Sequence, residues 1–177
     1  TAENPTDLLI SELVEGSSFN KAIEIYNGTG AEVDLAEYEI EIYFNGNTTV
    51  GNSVQFSDTL ADGETYVVAD DGAAAGILDV ADATDSGNFF NGDDVVMLKR
   101  GDAVVDVFGT VGVDPGSEWP GGGANDTLRR LPAVCAGDTD PTDAFDAAVE
   151  WDALPSDTFD GLGTHTTECG GGPVEDA

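Results

Sequence analysis

Apolar residues recur at every second position between Gly, Asn and Asp punctuation, the pattern of strands with one buried face. From Glu37 to Asn45, the side chains of Tyr38, Ile40, Ile42 and Phe44 share one side, and Glu37, Glu39, Glu41 and Tyr43 the other. Lys21 to Asn27 sets Ile23 and Ile25 against Ala22, Glu24 and Tyr26. The same rhythm predicts strands at Leu8 to Val14, Ser53 to Phe56, Thr65 to Ala69, Asp94 to Lys99, Ala103 to Phe108 and Thr127 to Leu131, eight in all. Arg100, Gly101 and Asp102 separate two of these runs closely enough for a tight hairpin, with Gly101 relieving the positive-φ cost.

Two segments break the rhythm. Asp71 to Asn91 carries Ala and Gly without a sustained apolar stripe and reads as a variable surface loop; a short helix around Ala73 to Leu78 is the alternative. From Gly137 to Asp160, Phe145, Val149, Trp151, Leu154 and Phe159 are spaced irregularly among aspartates, which suggests a long arm wrapped on the strands and pinned by its aromatics. The reading is an all-β sandwich of about eight strands with this C-terminal wrapping arm. Its expected bounds are 8–169, after an N-terminal extension at 1–7 and before a Gly/Pro linker at 170–177. No stretch of 18 apolar residues is present to cross a bilayer as a helix. The start, TAENPTD, has neither region of a signal peptide and reads as a mature or artificially trimmed N-terminus, from which any export signal has been removed.

Composition changes the picture through charge. The 177 residues are 40% hydrophobic, enough for one folded domain, yet 36 Asp and Glu face only 5 Lys and Arg, a net charge of -31. Such a surface repels phosphate backbones and anionic lipid heads, so direct nucleic-acid binding is disfavoured. Two readings of the acidity stay open: a solvated, salt-adapted surface, or carboxylates gathered around calcium. Cys135 and Cys169 are the only cysteines. Pairing them would constrain the unfolded chain by about 4 kcal/mol and point to an oxidising, extracellular compartment; two reduced thiols are the alternative.

Candidate chemistry is sparse. His165 is the sole histidine and reads as a surface or edge side chain satisfying a local hydrogen bond. Ser17, Ser117 and Ser156 could complete a triad on paper, but no GxSxG elbow exists, and zinc would want more His or Cys ligands. Calcium is the metal the residues suit, with Asp138, Asp140, Asp143 and Asp146 as candidate ligands in one loop. An EF-hand is excluded, because counting from Asp138 places Thr142 at position five and Val149 at position twelve. Asn91, Asp93 and Asp94 read as a turn, and Asp157 and Asp160 as Asx turns orienting Phe159. Glu12 and Glu24, on neighbouring strands, could face each other or a cation, or hold backbone amides; separate solvated faces are favoured, since opposed like charges destabilise a sheet. Arg129 and Arg130, adjacent on a strand, should point to opposite faces. Trp119 and Trp151 are read as core plugs beneath long connections.

The stretch LLISELVEGSSFNKAIEIYNGTGAEVDLAEYEI resembles the opening of bacterial lamin-tail domains, with their "ISE" strand, "EIYN" and "VDL" followed by Tyr. FNGDDVVMLKRGDAVVDVFGTVG, DPGSEW, DTLRRLPAV and DAFDAAVEWDALPSDTFDGLGTHT resemble the variant of this domain attached to large secreted bacterial nucleases. The likeness runs from about Leu8 to Thr166. High acidity, Glu37 where the family usually has Gly, and the cysteine pair depart from it. The resemblance implies an immunoglobulin-like β-sandwich without catalytic residues of its own, serving as an accessory domain of a secreted protein such as an extracellular nuclease. Its implied partners are other domains of the same polypeptide and a protein or surface ligand. A cell-surface adhesion module and a small metal-dependent hydrolase are the competing expectations.

Overall fold

The structure, a computed structural model, describes residues 3–170. All eight expected strands form: β1 (Leu9–Glu15), β2 (Lys21–Tyr26), β4 (Tyr38–Tyr43), β5 (Asn52–Gln55), β7 (Thr65–Asp70), β9 (Val95–Arg100), β10 (Ala103–Phe108) and β11 (Thr127–Arg130). Four short ones join them: β3 (Val33–Asp34), β6 (Thr59–Leu60), β8 (Ala83–Asp85) and β12 (Trp151–Leu154). Among the described residues they make a six-stranded sheet, β12-β11-β1-β2-β7-β8, a four-stranded sheet, β10-β9-β4-β5, and the pair β3-β6. The two larger sheets face each other across one apolar cluster, the arrangement of an immunoglobulin-like sandwich. Ile23, Ile25, Val68 and Leu128 enter it from one sheet, and Ile40, Ile42, Val96 and Leu98 from the other. The expected hairpin is present, with Ala103 opposite Arg100 and Gly101 at φ 59°.

The segment read as a variable loop is more ordered than its sequence suggests. Ala75–Leu78 forms the short helix α1, and Ala83–Asp85 adds β8 parallel to β7. One helical turn has no room to display a periodic stripe, so only its alanines and Ile77 mark it. The helix lies on the outer face of the six-stranded sheet, where Ile77, Ala73 and Leu162 close a second apolar cluster over Val14, Ala22, Val67 and Ala69. β1 and β2 are therefore buried on both faces along their whole length, not on one. Small residues on the outer side let the cover approach closely.

The wrapping arm is real and contains β12, which pairs antiparallel with β11. Its aromatics do pin it: Trp151 is buried and Phe145 and Phe159 pack partly against the two clusters, while Val149 is 71% exposed. Part of the expected N-terminal extension also packs, since Pro5 is buried and Asp7 accepts hydrogen bonds from the Leu8 amide and the Tyr38 hydroxyl. Of the expected C-terminal linker, residues 171–177 lie outside the described residues.

Candidate functional site

The unusual chemistry of the molecule lies on the outer face of the six-stranded sheet, beneath the end of the arm. Pairing across β2, β1, β11 and β12 puts Glu24, Glu12, Arg129 and Asp152 in one cross-strand row. A register shift between Ile10 and Glu12 frees Ser11 to turn its hydroxyl toward Glu24 at 2.6 Å. The other Glu24 oxygen accepts the Gly163 amide of the arm at 2.7 Å. Arg129 donates to Glu12 at 3.2 Å and to Asp160 of the arm at 3.0 Å. Gly161 packs so closely on the Arg129 guanidinium that a β-carbon there would collide with it.

Burial governs how these groups ionise. Glu24 is wholly enclosed without a cation of its own, and desolvation, only partly offset by Ser11 and Gly163, pushes its carboxyl up to about 8. Glu12 is raised as well, by burial, with Arg129 pulling back; its Oε1 has no hydrogen-bond partner. His165 stands against the Tyr26 ring, 4.9 Å between centroids, with Nε2 buried and unpartnered. Burial first, then Arg130 and Arg129, pull it down to about 4. Arg129, His165, Asp152, Gly161 and Thr164 border an open cleft of about 250 Å³.

On the inner side, Arg130 does a different job. Its guanidinium donates to Asp106 of the opposite sheet at 2.6 Å, to the Ile10 carbonyl at 3.0 Å and to Glu150 at 2.6 Å, and lies 4.6 Å from the centre of the Trp151 ring. Asp106, fully buried, also accepts the amides of Ile10, Val107 and Asp138. One ion pair thus ties β1, β10, β11 and the start of the arm together.

Both clusters use carboxylates to hold backbone and arginine, and neither presents an activated nucleophile beside a base. Among the described residues, no three His, Cys, Asp or Glu side chains are grouped to hold a metal ion. The sequence model of the lamin tail domain matches residues 1–112. The chain belongs to this family. Its immunoglobulin-like fold is non-enzymatic, in keeping with the structural use of these charges. Neither a curated protein nor a solved structure matches the chain. The family match covers β1 to β10, so the likeness noted to Thr166 is matched only as far as residue 112. Arg129, Arg130 and the arm of this lamin tail domain lie beyond the matched segment.

The expected site residues fare unevenly. Cys135 and Cys169 form a disulfide, with Cα atoms 5.5 Å apart. In the expected calcium loop, Asp138 accepts the Asp140 amide, Asp140 accepts the Thr142 amide and hydroxyl, and Asp146 caps the turn at Ala147–Val149. Asp138, Asp143 and Asp146 border one surface hollow with Glu150, and Asp140 is not part of it. Asp94 accepts the Asn91 and Asn45 amides, the turn that was expected. Trp119 and Trp151 are core plugs, and the two arginines point to opposite faces.

Three expectations need correcting. Glu12 and Glu24 are not on separate solvated faces but side by side under the arm. Asp160 pairs with Arg129, and Asp157 binds Ser17 and Asn20 at the β1–β2 turn, so neither orients Phe159 through an Asx turn. His165 has no local hydrogen bond on Nε2. Asp106 and Glu150 escaped the sequence reading altogether. The one signal was an Asp inside an otherwise apolar strand, AVVDVF, which a buried arginine partner explains.

Proposed function

We propose that this lamin tail domain is a non-catalytic accessory module of a secreted bacterial protein whose other domains include an extracellular nuclease. The observation that carries the extracellular part is the Cys135–Cys169 disulfide, because such bonds persist in oxidising compartments. The likeness of FNGDDVVMLKRGDAVVDVFGTVG and the arm sequence to nuclease-attached lamin-tail domains supports the rest. A net charge of -31 gives the domain no attraction for the nuclease's own substrate. Its ligand is therefore a protein or a surface, and its contribution is where the enzyme sits rather than how it cuts.

The test is a parent protein with and without this domain, assayed on a short DNA duplex and for retention at the cell surface or in the matrix. Unchanged turnover with lost retention is the expected result. Turnover that vanishes with the domain, or DNA cleavage by the isolated domain with added Mg²⁺, Mn²⁺ or Ca²⁺, would overturn the reading. A coding sequence that places anchoring repeats beside the domain in place of a phosphodiesterase would favour the adhesion alternative.

A further inference from the structure

Two hollows adjoin on the flank of the four-stranded sheet, between the loop after β10 and the arm. The first, about 420 Å³, is apolar: Val113, Pro115, Pro120, Ala144 and Phe145 form its walls over the buried Trp119. The second, about 310 Å³, is bordered by Asp138, Asp143, Asp146 and Glu150. Asp143, Ala144 and Phe145 belong to both, so Phe145 stands as the ridge between an oily and an acidic cradle. The ridge is firmly set. Its ring meets Phe108 edge-on at 4.7 Å and Trp119 at 5.8 Å. Backbone bonds from Val111 to Pro141 and from Ala147 to Pro120 stitch the two loops together. A surface preformed in this way loses little entropy when a partner settles on it.

Charge says what the partner is. Each of the five Lys and Arg side chains is already paired within the fold: Lys21 with Glu15, Lys99 with Glu41, Arg100 with Glu37, Arg129 with Glu12 and Asp160, and Arg130 with Asp106 and Glu150. Only Arg130 reaches the acidic cradle, through Glu150 from beneath. Asp138 is raised first by its own partial burial and then by the neighbouring Asp143, Asp106 and Glu150 charges; Arg130 balances the last two, and among the described residues Asp138, Asp143 and Asp146 have no cation of their own. The compensating charge has to arrive with a ligand, and the apolar cradle beside it asks for a bulky aliphatic or proline side chain on that same ligand.

Resting on the accessory-module reading above, we infer that this double hollow docks a cationic segment of a partner protein. A leucine-like or proline side chain seats between Val113 and Phe145, and a nearby lysine or arginine seats among Asp138, Asp143 and Asp146. The arrangement gives specificity by splitting the contact into one apolar and one charged anchor, and it makes association salt-dependent.

The direct test is titration of the domain, at low ionic strength, with a short synthetic peptide in which lysine alternates with leucine and proline, followed by the Trp119 indole N–H resonance. Saturable shifts are expected, weakened about tenfold by Ala144→Arg, which places a cation on the ridge, and about threefold by Asp143→Asn. Both positions are exposed, so the variants fold, and their melting temperatures verify it. Absence of saturable binding overturns the inference. So does equal binding of a glutamate-for-lysine control, or of a lysine peptide lacking leucine and proline. The parent protein separates this inference from the broader one. If domain deletion abolishes retention and Ala144→Arg does not, the docking surface fails and the accessory reading stands. If deletion leaves retention intact, the accessory reading itself fails.

Discussion

Glu12 and Glu24 face each other across β1 and β2, 1% and 0% exposed, with one arginine between them and the solvent. Opposed like charges are destabilising in a sheet, and more so without water. The fold resolves the conflict unequally. Glu12 takes the Arg129 guanidinium, and Glu24 keeps a proton. Ser11 Oγ donates to one Glu24 carboxyl oxygen at 2.6 Å and also approaches the Glu24 carbonyl at 3.3 Å.

That proton makes stability fall as pH rises. The ordinary carboxyl value is 4.5 and the folded value about 8, so between these limits the native state holds a proton the unfolded chain has lost. The contribution of Glu24 is full below about pH 4.5 and is lost on passing through pH 8, with a slope of at most about 1.4 kcal/mol per pH unit. Glu12, shifted in the same direction, adds to it. Glu24→Gln keeps an acceptor for Gly163 and a donor for Ser11 without the titration. Its melting temperature should exceed that of the wild type at pH 8 to 9 and converge with it near pH 5. Parallel curves would show that Glu24 is ionised throughout.

His165 acts with the opposite sign. The native ring is neutral down to about pH 4, whereas the unfolded ring protonates near 6.5. Its contribution is therefore full above pH 6.5 and is lost as pH falls toward 4. The two slopes oppose one another between about 4.5 and 6.5, leaving Glu24 to dominate from 6.5 upward. An NMR titration of this sole histidine should give a midpoint near 4. His165→Phe, which retains the contact with Tyr26 and removes the unpartnered nitrogen, should melt higher than the wild type at pH 4 to 5. A midpoint above 6 would place the ring in water.

The sandwich was legible because its long strands alternate, and alternation survives wherever one face meets the core. The outer cover was not legible. Glu12 and Glu24 carry the same letters as the exposed Glu37 and the half-buried Glu39, and only the arm laid over them turns two polar positions into buried ones. β3, β6 and β8 are two or three residues long, too short to display a period. The disulfide could be read from the cysteine count alone. Of the Arg130–Asp106 pair, the sequence offered that Arg130 faces away from Arg129 and that an Asp interrupts the apolar strand AVVDVF, but partners 24 positions apart on different sheets leave no spacing signal.

That pair should respond asymmetrically to mutation. Arg130→Met leaves Asp106 with three backbone amides still donating to it, and the thioether can fill the space against Trp151. Asp106→Ala strips those amides of their acceptor and leaves a buried guanidinium with only the Ile10 carbonyl and Glu150. Breaking one side of a buried pair costs about 3–5 kcal/mol, and that cost belongs to Asp106→Ala. Arg130→Met should cost less, about 1–3 kcal/mol. Urea unfolding of both variants checks the order, and a larger loss in Arg130→Met would mean that the arginine, not the carboxylate, organises the junction.

Calcium should leave the fold unmoved. Asp138, Asp140 and Asp146 already accept backbone amides that shape the loop, and Asp140 is held below its usual range by the Thr142 hydroxyl and amide. A hard cation needs six or more oxygens converging on one point, and among the described residues no three acidic side chains are grouped closely enough to hold one. Thermal melts with excess calcium and with chelator should coincide, and titration calorimetry should show no saturable heat. A rise of several degrees with calcium would establish a site that these turns open to form.

Reduction of Cys135–Cys169 should loosen the arm before the sandwich. The bond clips residue 169 to the segment following β11, closing a span of 34 residues that includes β12, the Thr158 carbonyl held by Thr127, and the Gly163 amide held by Glu24. The entropic model gives about 4 kcal/mol for a loop of this length. The joint Cys135→Ser and Cys169→Ser variant should lose that much in global unfolding. Within the native state, amides from 158 to 169 should exchange fastest relative to the wild type, while those of β1, β4 and β9 stay protected to the global limit. Exposing the outer face in this way lets water reach Glu12 and Glu24, so the reduced form should also lose the pH slope assigned to Glu24. Retention of that slope after reduction, with the arm still protected, would show that Asp160, Gly163 and Leu162 hold the cover without the disulfide.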